Sequence, residues 1–313
     1  MDDHKNKLEE YEMRRRLHQR KTKLIANKLK TRPRSYSFAK TCYRFYYNIA
    51  GSFNVLPDFL LIGASRSGST SLYQGLVEHP NIHTAKTKEI QFFGTKYPRG
   101  INWYRYHFPS KFKKFSLKIK KEKFITGEGT TRSLDYPHVP KLVKKIIPNV
   151  KLILILRNPI DRAYSNYNAA VKNKKMTLSF EDAIKTEEAR IKGIMEKMKE
   201  DANYISTEYS LNALLNRGKY YFAIKRWMDV FPKNQFFIIK SEDFFENTKK
   251  VFGELHEFLD VPKFDFDSDI IYNERRRTIS AMKSKTRDDL IEYFRPYNEK
   301  LYKLLDRDFD WDQ

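Results

Sequence analysis

One cysteine, Cys42, stands among 313 residues. That excludes an intrachain disulfide and any cysteine-built zinc site. Seven scattered histidines show no HExxH or comparable ligand spacing, so no metal centre is expected. No apolar run approaches the length that spans a bilayer, and the charged N-terminus carries no signal-peptide apolar region. These absences give the expectation of a soluble, cytoplasmic protein without a transmembrane segment. Internal repeats are also lacking. Negative charge is in deficit: 39 Asp and Glu face 61 Lys and Arg, a formal net charge of +22. Such a surplus indicates an anionic partner (nucleotide, nucleic acid, acidic glycan or membrane surface) without choosing among them.

What is present suffices for one core. Apolar residues make up 40% of the chain, and its length allows a single α/β domain with an N-terminal extension. Residues 1–55 are polar and basic, with clusters at Arg14, Arg15, Arg16 and Arg20-Lys21-Thr22-Lys23. They read as a helical or partly disordered arm, whose aromatic end Tyr43-Arg44-Phe45-Tyr46-Tyr47 suits packing on the domain or on an acidic surface. The domain proper is expected over 56–313.

That domain opens with an apolar run, Phe59 to Ile62, of buried-strand length. A polar loop, Gly63-Ala64-Ser65-Arg66-Ser67-Gly68, leads from it into a helix from Thr70 to His79 stopped by Pro80. Two glycines at this spacing, between strand and helix, suit a loop whose backbone N–H groups hold a phosphate. A nucleotide triphosphatase needs Lys directly after the second glycine; Ser69 stands there, and Arg66 is the loop's only cation. The same residues also suit a plain glycine turn.

A second strand, Val150 to Leu156, is almost uninterruptedly apolar, as in a parallel strand covered on both faces. Arg157 follows it, then Asn158 as N-cap and Pro159 at the first helical position. Arg157 at a strand's C-terminal edge, with Ser165 two turns into the next helix, suits a second anion site, although an ion pair of Arg157 with Asp161 competes with it. Further elements are a short strand in Phe124–Arg132, helices at Pro140–Ile147, Leu211–Phe231, Phe252–Leu259 and Leu290–Leu305, and a strand at Gln235–Lys240. Lys172 to Tyr209 reads as a helix and a mobile connection, and Thr87–Phe93 as a strand or turn. Within it Glu89 lies beside large apolar residues, where desolvation would make it a base, but an ion pair with Lys86 or Lys88 is the simpler reading of those residues alone.

Strands alternating with helices predict a central parallel sheet with helices on both faces. The strand C-termini then share one edge, which brings Arg66 and Arg157 to one side of the molecule. Without the Walker lysine, two cationic sites there fit a ligand carrying phosphates at both ends.

Several motifs, in order, resemble those of nucleotide-dependent sulfotransferases, nearest the Golgi heparan sulfate N-deacetylase/N-sulfotransferases and 3-O-sulfotransferases and their microbial relatives. They are Gly63-Ala64-Ser65-Arg66-Ser67-Gly68-Ser69-Thr70, Lys88-Glu89-Ile90-Gln91-Phe92-Phe93, Gly100-Ile101-Asn102-Trp103-Tyr104, Leu154-Ile155-Leu156-Arg157-Asn158-Pro159 with Asp161-Arg162-Ala163-Tyr164-Ser165, and Phe309-Asp310-Trp311. The resemblance covers about 57–313. It implies a P-loop-like three-layer α/β fold that binds 3′-phosphoadenosine 5′-phosphosulfate (PAPS), releases 3′-phosphoadenosine 5′-phosphate (PAP), and passes the sulfuryl group to an acceptor, for which a glycan is the best match. It further implies that Arg66, Ser67, Gly68, Ser69, Thr70 and Ser71 hold the 5′-phosphosulfate and that Arg157 and Ser165 hold the 3′-phosphate. Tyr220 and the loop of Arg275, Arg276 and Arg277 match regions enclosing the nucleotide, and Glu89 falls on the family's catalytic base, with Arg66 stabilising the leaving phosphate. Two departures stand out. Arg66 replaces a lysine common in heparan-type loops, and Gly129 follows Glu128 where those members often have Lys, so that either Arg132 supplies this cation or none is needed. The rival expectations are a P-loop nucleotide or sugar kinase and a basic nucleic-acid-binding protein; with the sulfotransferase reading no specific nucleic acid partner is expected.

Overall fold

The computed structural model describes residues 9–13, 15–17, 33–201, 204, 206–265 and 282–312. Four strands form one all-parallel sheet: β1 (Phe59–Gly63), β2 (Gly127–Gly129), β3 (Lys151–Leu156) and β4 (Phe236–Lys240), in spatial order β2-β1-β3-β4. Period-two alternation divides their side chains between two cores. Leu60, Ile62, Leu152, Leu154 and Leu156 enter one, with Phe92, Tyr104, Val139, Trp227 and Trp311. Phe59, Leu61, Ile153, Ile155 and Ile239 enter the other, with Leu72, Leu76, Phe244 and Phe252. Burial on both faces is why the central strands β1 and β3 are almost uninterruptedly apolar rather than alternating with polar residues. The three-layer parallel α/β architecture expected from the sequence is therefore present.

The helices that set the site are α1 (Ser69–Glu78), following β1, and α2 (Pro159–Lys172), following β3. Asn158 caps α2 through its side chain, which accepts from the Ile160 N–H at 2.9 Å, and Pro159 takes the first position. Connections from β1 lead to β2 on one side, while β3 continues the sheet on the other. The loops after β1 and β3 consequently diverge across a topological switch point, the place where open α/β sheets bind ligands.

Two elements differ from the sequence-based expectation. Leu211–Phe231 is interrupted: helices span Thr207–Asn212 and Tyr220–Met228, with a tight turn at Asn216–Gly218 between them. The break is held by Glu187, whose carboxylate accepts the Leu215 and Asn216 N–H groups, both at 2.7 Å. Lys172–Tyr209 contains three short helices, Phe180–Lys185, Glu187–Ile191 and Ile194–Glu200, separated by sharp bends such as Gly193 at φ 72°. Thr87–Phe93, expected as a strand or turn, takes the turn form, with Glu89 and Gln91 at φ 58° and 59°, and its end enters a short helical turn, Phe92–Lys96.

N-terminal to the sheet, a helix spans Pro33–Ser52 and packs its Tyr47 ring against Tyr106, centroids 4.6 Å apart. Tyr11 is buried against Tyr73 in the second core, at 6.1 Å.

Candidate active site

The loop after β1 begins where the Ala64 N–H crosses to the Ile155 carbonyl at 2.8 Å, tying it to β3. Gly68 closes the loop at φ 94°, and a Cβ there would meet the Phe245 ring at 2.9 Å, so both backbone and packing require glycine. Gly68 also caps α1 without a side-chain oxygen, which leaves the first-turn N–H groups facing the loop. Ser67, Ser69 and Ser71 are buried around it, with Thr70 half-buried and Arg66 exposed.

Residues far apart in sequence converge here. The Arg66 guanidinium donates through Nε to Ser165 Oγ at 3.2 Å, and Arg157 Nη1 reaches the Arg66 carbonyl at 3.5 Å. Asp161, the alternative partner of Arg157, is instead paired with Arg287. The buried Tyr220 phenol donates to the Arg157 carbonyl at 2.9 Å, fixing the turn out of β3. Burial raises the Tyr220 phenol's pKa, opposed by the nearby Arg162 guanidinium and the Ser67 hydroxyl. Arg66, Arg157, Ser165 and Tyr220 thus form one cluster on the sheet's C-terminal edge. Arg275, Arg276 and Arg277 lie outside the described residues.

Across the loop stands the Glu89 turn. The Glu89 N–H bonds to the Gly129 carbonyl at 2.8 Å, so this segment extends the edge of β2. The half-buried Glu89 carboxylate accepts from Thr131 Oγ1 at 2.9 Å and from the Thr131 N–H at 3.2 Å. Thr131 Oγ1 also meets Ser65 Oγ at 2.9 Å, which links the carboxylate to the loop. Lys86 lies over the Tyr106 ring, 3.6 Å from its centroid.

Lys88 was not singled out from the sequence as a site residue. Its ammonium reaches Thr70 Oγ1 at 3.0 Å and Ser69 Oγ at 3.5 Å, at the N-terminus of α1. It passes over Gly129: a Cβ on that glycine would lie 3.4 Å from Lys88 Cε. A side chain at 129 would meet the Tyr73 ring at 3.2 Å as well as Lys88, whereas Arg132 sits beside the Tyr136 phenol.

A second carboxylate, Glu128, lies beneath the turn and is fully buried. It accepts from Thr130 Oγ1 at 2.6 Å and from the Tyr104 phenol at 3.1 Å. Desolvation pushes its pKa up to about 7, opposed by the Thr130 and Tyr104 hydrogen bonds and reinforced by the charge of Glu89. Thr130 Oγ1 in turn accepts from the Gln91 N–H at 3.2 Å, so Glu128 orders the turn that carries Glu89.

The whole arrangement gathers hydroxyls, N–H groups and three cations, Arg66, Lys88 and Arg157, about the loop after β1, with the Glu89 carboxylate at its margin. The sulfotransferase domain model matches residues 56–298, and the chain belongs to that family. It is 27% identical to the membrane-associated sulfotransferase kil1 of Dictyostelium discoideum, over 92% of this chain and 72% of that protein. It is likewise 27% identical to the bifunctional heparan sulfate N-deacetylase/N-sulfotransferase 1 of Caenorhabditis elegans, over 80% of this chain but only 30% of that relative. The crystal structure of a sulfotransferase from Alicyclobacillus acidocaldarius superposes with a TM-score of 0.61 at 26% identity, covering 83% of this chain and all of that one. The protein is a sulfotransferase of P-loop-like α/β fold.

The cytoplasmic placement expected from the sequence is corrected by the first of these relatives, whose name is that of a membrane-associated protein. That expectation rested on the lack of a spanning segment, and surface attachment needs none. Among the described residues no helix is long and apolar enough to cross a membrane.

Proposed function

We propose that this sulfotransferase takes its sulfuryl group from PAPS and delivers it to a hydroxyl or amine of a glycan, with Glu89 as general base. The observation that carries this reading is the convergence of Arg66, Arg157 and Ser165 at the ends of β1 and β3, across the loop from Glu89 and Lys88. A donor with phosphate groups at two ends needs two cationic grips and one reactive edge, and these residues fit that requirement. Ser67, Gly68, Ser69, Thr70 and Ser71 with the first turn of α1 would hold the 5′-phosphosulfate. Arg157 and Ser165 would hold the 3′-phosphate, and Tyr220 fixes the Arg157 backbone from below.

Glu89 accepts the proton of the acceptor O–H or N–H as that atom bonds to sulfur. The bond from sulfur to the phosphate oxygen breaks, and Arg66, Lys88 and the loop N–H groups neutralise the charge gathering on that oxygen. Thr131 holds one carboxylate oxygen of Glu89, which leaves the other to face an acceptor. Support for a glycan comes from the heparan sulfate relatives, joined to the chain's charge of +22, which favours an acidic polymer. The kinase and nucleic-acid readings gain nothing from the family match.

The test is to supply labelled PAPS with a panel of acidic glycans, neutral glycans, lipids and tyrosine peptides, and to identify the sulfated product by mass spectrometry. Sulfation of an acidic glycan is expected. Transfer confined to lipid or peptide would overturn the acceptor class, and consumption of ATP with a phosphorylated product would overturn the donor.

A further inference from the structure

Two sets of large apolar side chains stand in solvent away from the site. Phe45, Ile49 and Phe53 recur every four residues along and just past the end of the Pro33–Ser52 helix, with relative exposures of 67%, 49% and 65%. Phe112, Phe115 and Ile119 recur at intervals of three and four on the helix Lys111–Ile119, with exposures of 78%, 61% and 66%. At these spacings Phe112, Phe115 and Ile119 share one helix face, as do Phe45 and Ile49, with Phe53 just past the helix end. The two sets adjoin: the Lys111 N–H bonds to the Phe53 carbonyl at 2.8 Å, Lys111 Nζ donates to the Ser52 carbonyl at 2.7 Å, and Asn54 is bridged to Ser110.

The helix Lys111–Ile119 buries none of its residues, and only Ser116 and Leu117 are half-buried. Nine residues make a marginal helix in water unless an apolar face is covered. Along this helix and the residues after it the charge is predominantly positive. Lys111, Lys113, Lys114, Lys118, Lys120, Lys121 and Lys123 stand against Glu122 alone. Lys114 and Lys123 also meet Asp58 at 3.7 Å and Asp260 at 2.6 Å on the domain.

We propose that this face docks on an anionic phospholipid surface, the aromatic and Ile side chains entering the headgroup–acyl boundary and the lysines meeting the headgroups. An amphipathic, lysine-rich helix with Phe on its other face is the form that lies in a membrane interface. An acidic glycan would pair with the lysines but leave the Phe and Ile side chains in water. A second copy of the chain would bring its own lysines against these. An anionic bilayer satisfies both halves of the face. Docking here would hold the enzyme at a surface while the nucleotide residues on the sheet's C-terminal edge stay outside the contact.

Co-sedimentation of the full chain with vesicles tests this. One set is phosphatidylcholine alone, the other phosphatidylcholine with about 30% phosphatidylserine as the anionic lipid. Binding is expected on the second set, weakening as salt rises. Phe112→Ser/Phe115→Ser and Lys113→Glu/Lys118→Glu are each expected to lower it by about tenfold or more. Thermal unfolding, and PAP binding measured by calorimetry, should be unchanged in both, which separates loss of docking from loss of fold. The proposal is overturned by no binding to phosphatidylserine vesicles, or by binding that survives the Phe substitutions. It is equally overturned if those substitutions abolish a dimer seen by sedimentation while vesicle binding persists, or if the lysine substitutions weaken binding to soluble heparin alone.

Discussion

At the residue scale, Lys88 was the group that linear reading passed over. It is 18 positions from Thr70, and nothing in the string Thr87-Lys88-Glu89 says that its ammonium ends at the start of α1. The one available signal was negative: Gly129 offers no side chain where a cation was expected, and Lys88 passes over it. Lys88→Ala is expected to lower kcat on the order of a hundredfold, as loss of a group that stabilises developing charge does. Steady-state kinetics with saturating donor checks this, and an unchanged kcat would make Lys88 a packing residue. The positions of Arg157 and Ser165 were legible because strand, N-cap and proline fix them, and the Arg66–Ser165 hydrogen bond joins the two proposed anion sites. Arg157→Ala is expected to weaken PAP about tenfold or more while leaving adenosine 5′-phosphate, which lacks the 3′-phosphate, nearly unaffected. Calorimetry with the two nucleotides reads that difference.

At the element scale, β2 is three residues long, yet it carries the buried acid that orders the turn bearing the proposed base. The short strand expected within Phe124–Arg132 is this one, but no local pattern marks Glu128 as buried. The Tyr104 phenol that covers it comes from the helix Ile101–Arg105, a partner visible only in three dimensions. Glu128 has a folded-state pKa near 7 against about 4.5 unfolded. Between those values the folded chain keeps a proton that the unfolded chain has lost. Stability therefore falls as pH rises through this window, by on the order of 3 kcal/mol. Glu128→Gln should flatten that slope, read by urea unfolding at about pH 5 and about pH 8. An identical slope in the variant would show that Glu128 does not govern it. The broken Leu211–Phe231 segment was misread for a related reason: Glu187, from another helix, caps the turn at Leu215 and Asn216.

At the scale of the whole molecule, the sheet was legible because its central strands are apolar on both faces. That property excludes a half-exposed antiparallel sheet and forces helices onto both sides. Parallel strands then gather their C-terminal loops, and the site follows from topology: Arg66, Arg157 and Glu89 come from three segments yet share one edge. Location was not legible. The residues exposed near Phe53 and Phe112 look in sequence like ordinary helix faces, and only burial separates a covered face from an open one. The most direct measurement of the central claim is sulfuryl transfer from PAPS by Glu89→Gln, run beside PAP affinity for the same variant. Turnover is expected to fall by about a hundredfold or more with nucleotide affinity retained; transfer at the wild-type rate would contradict the assignment of Glu89 as the base.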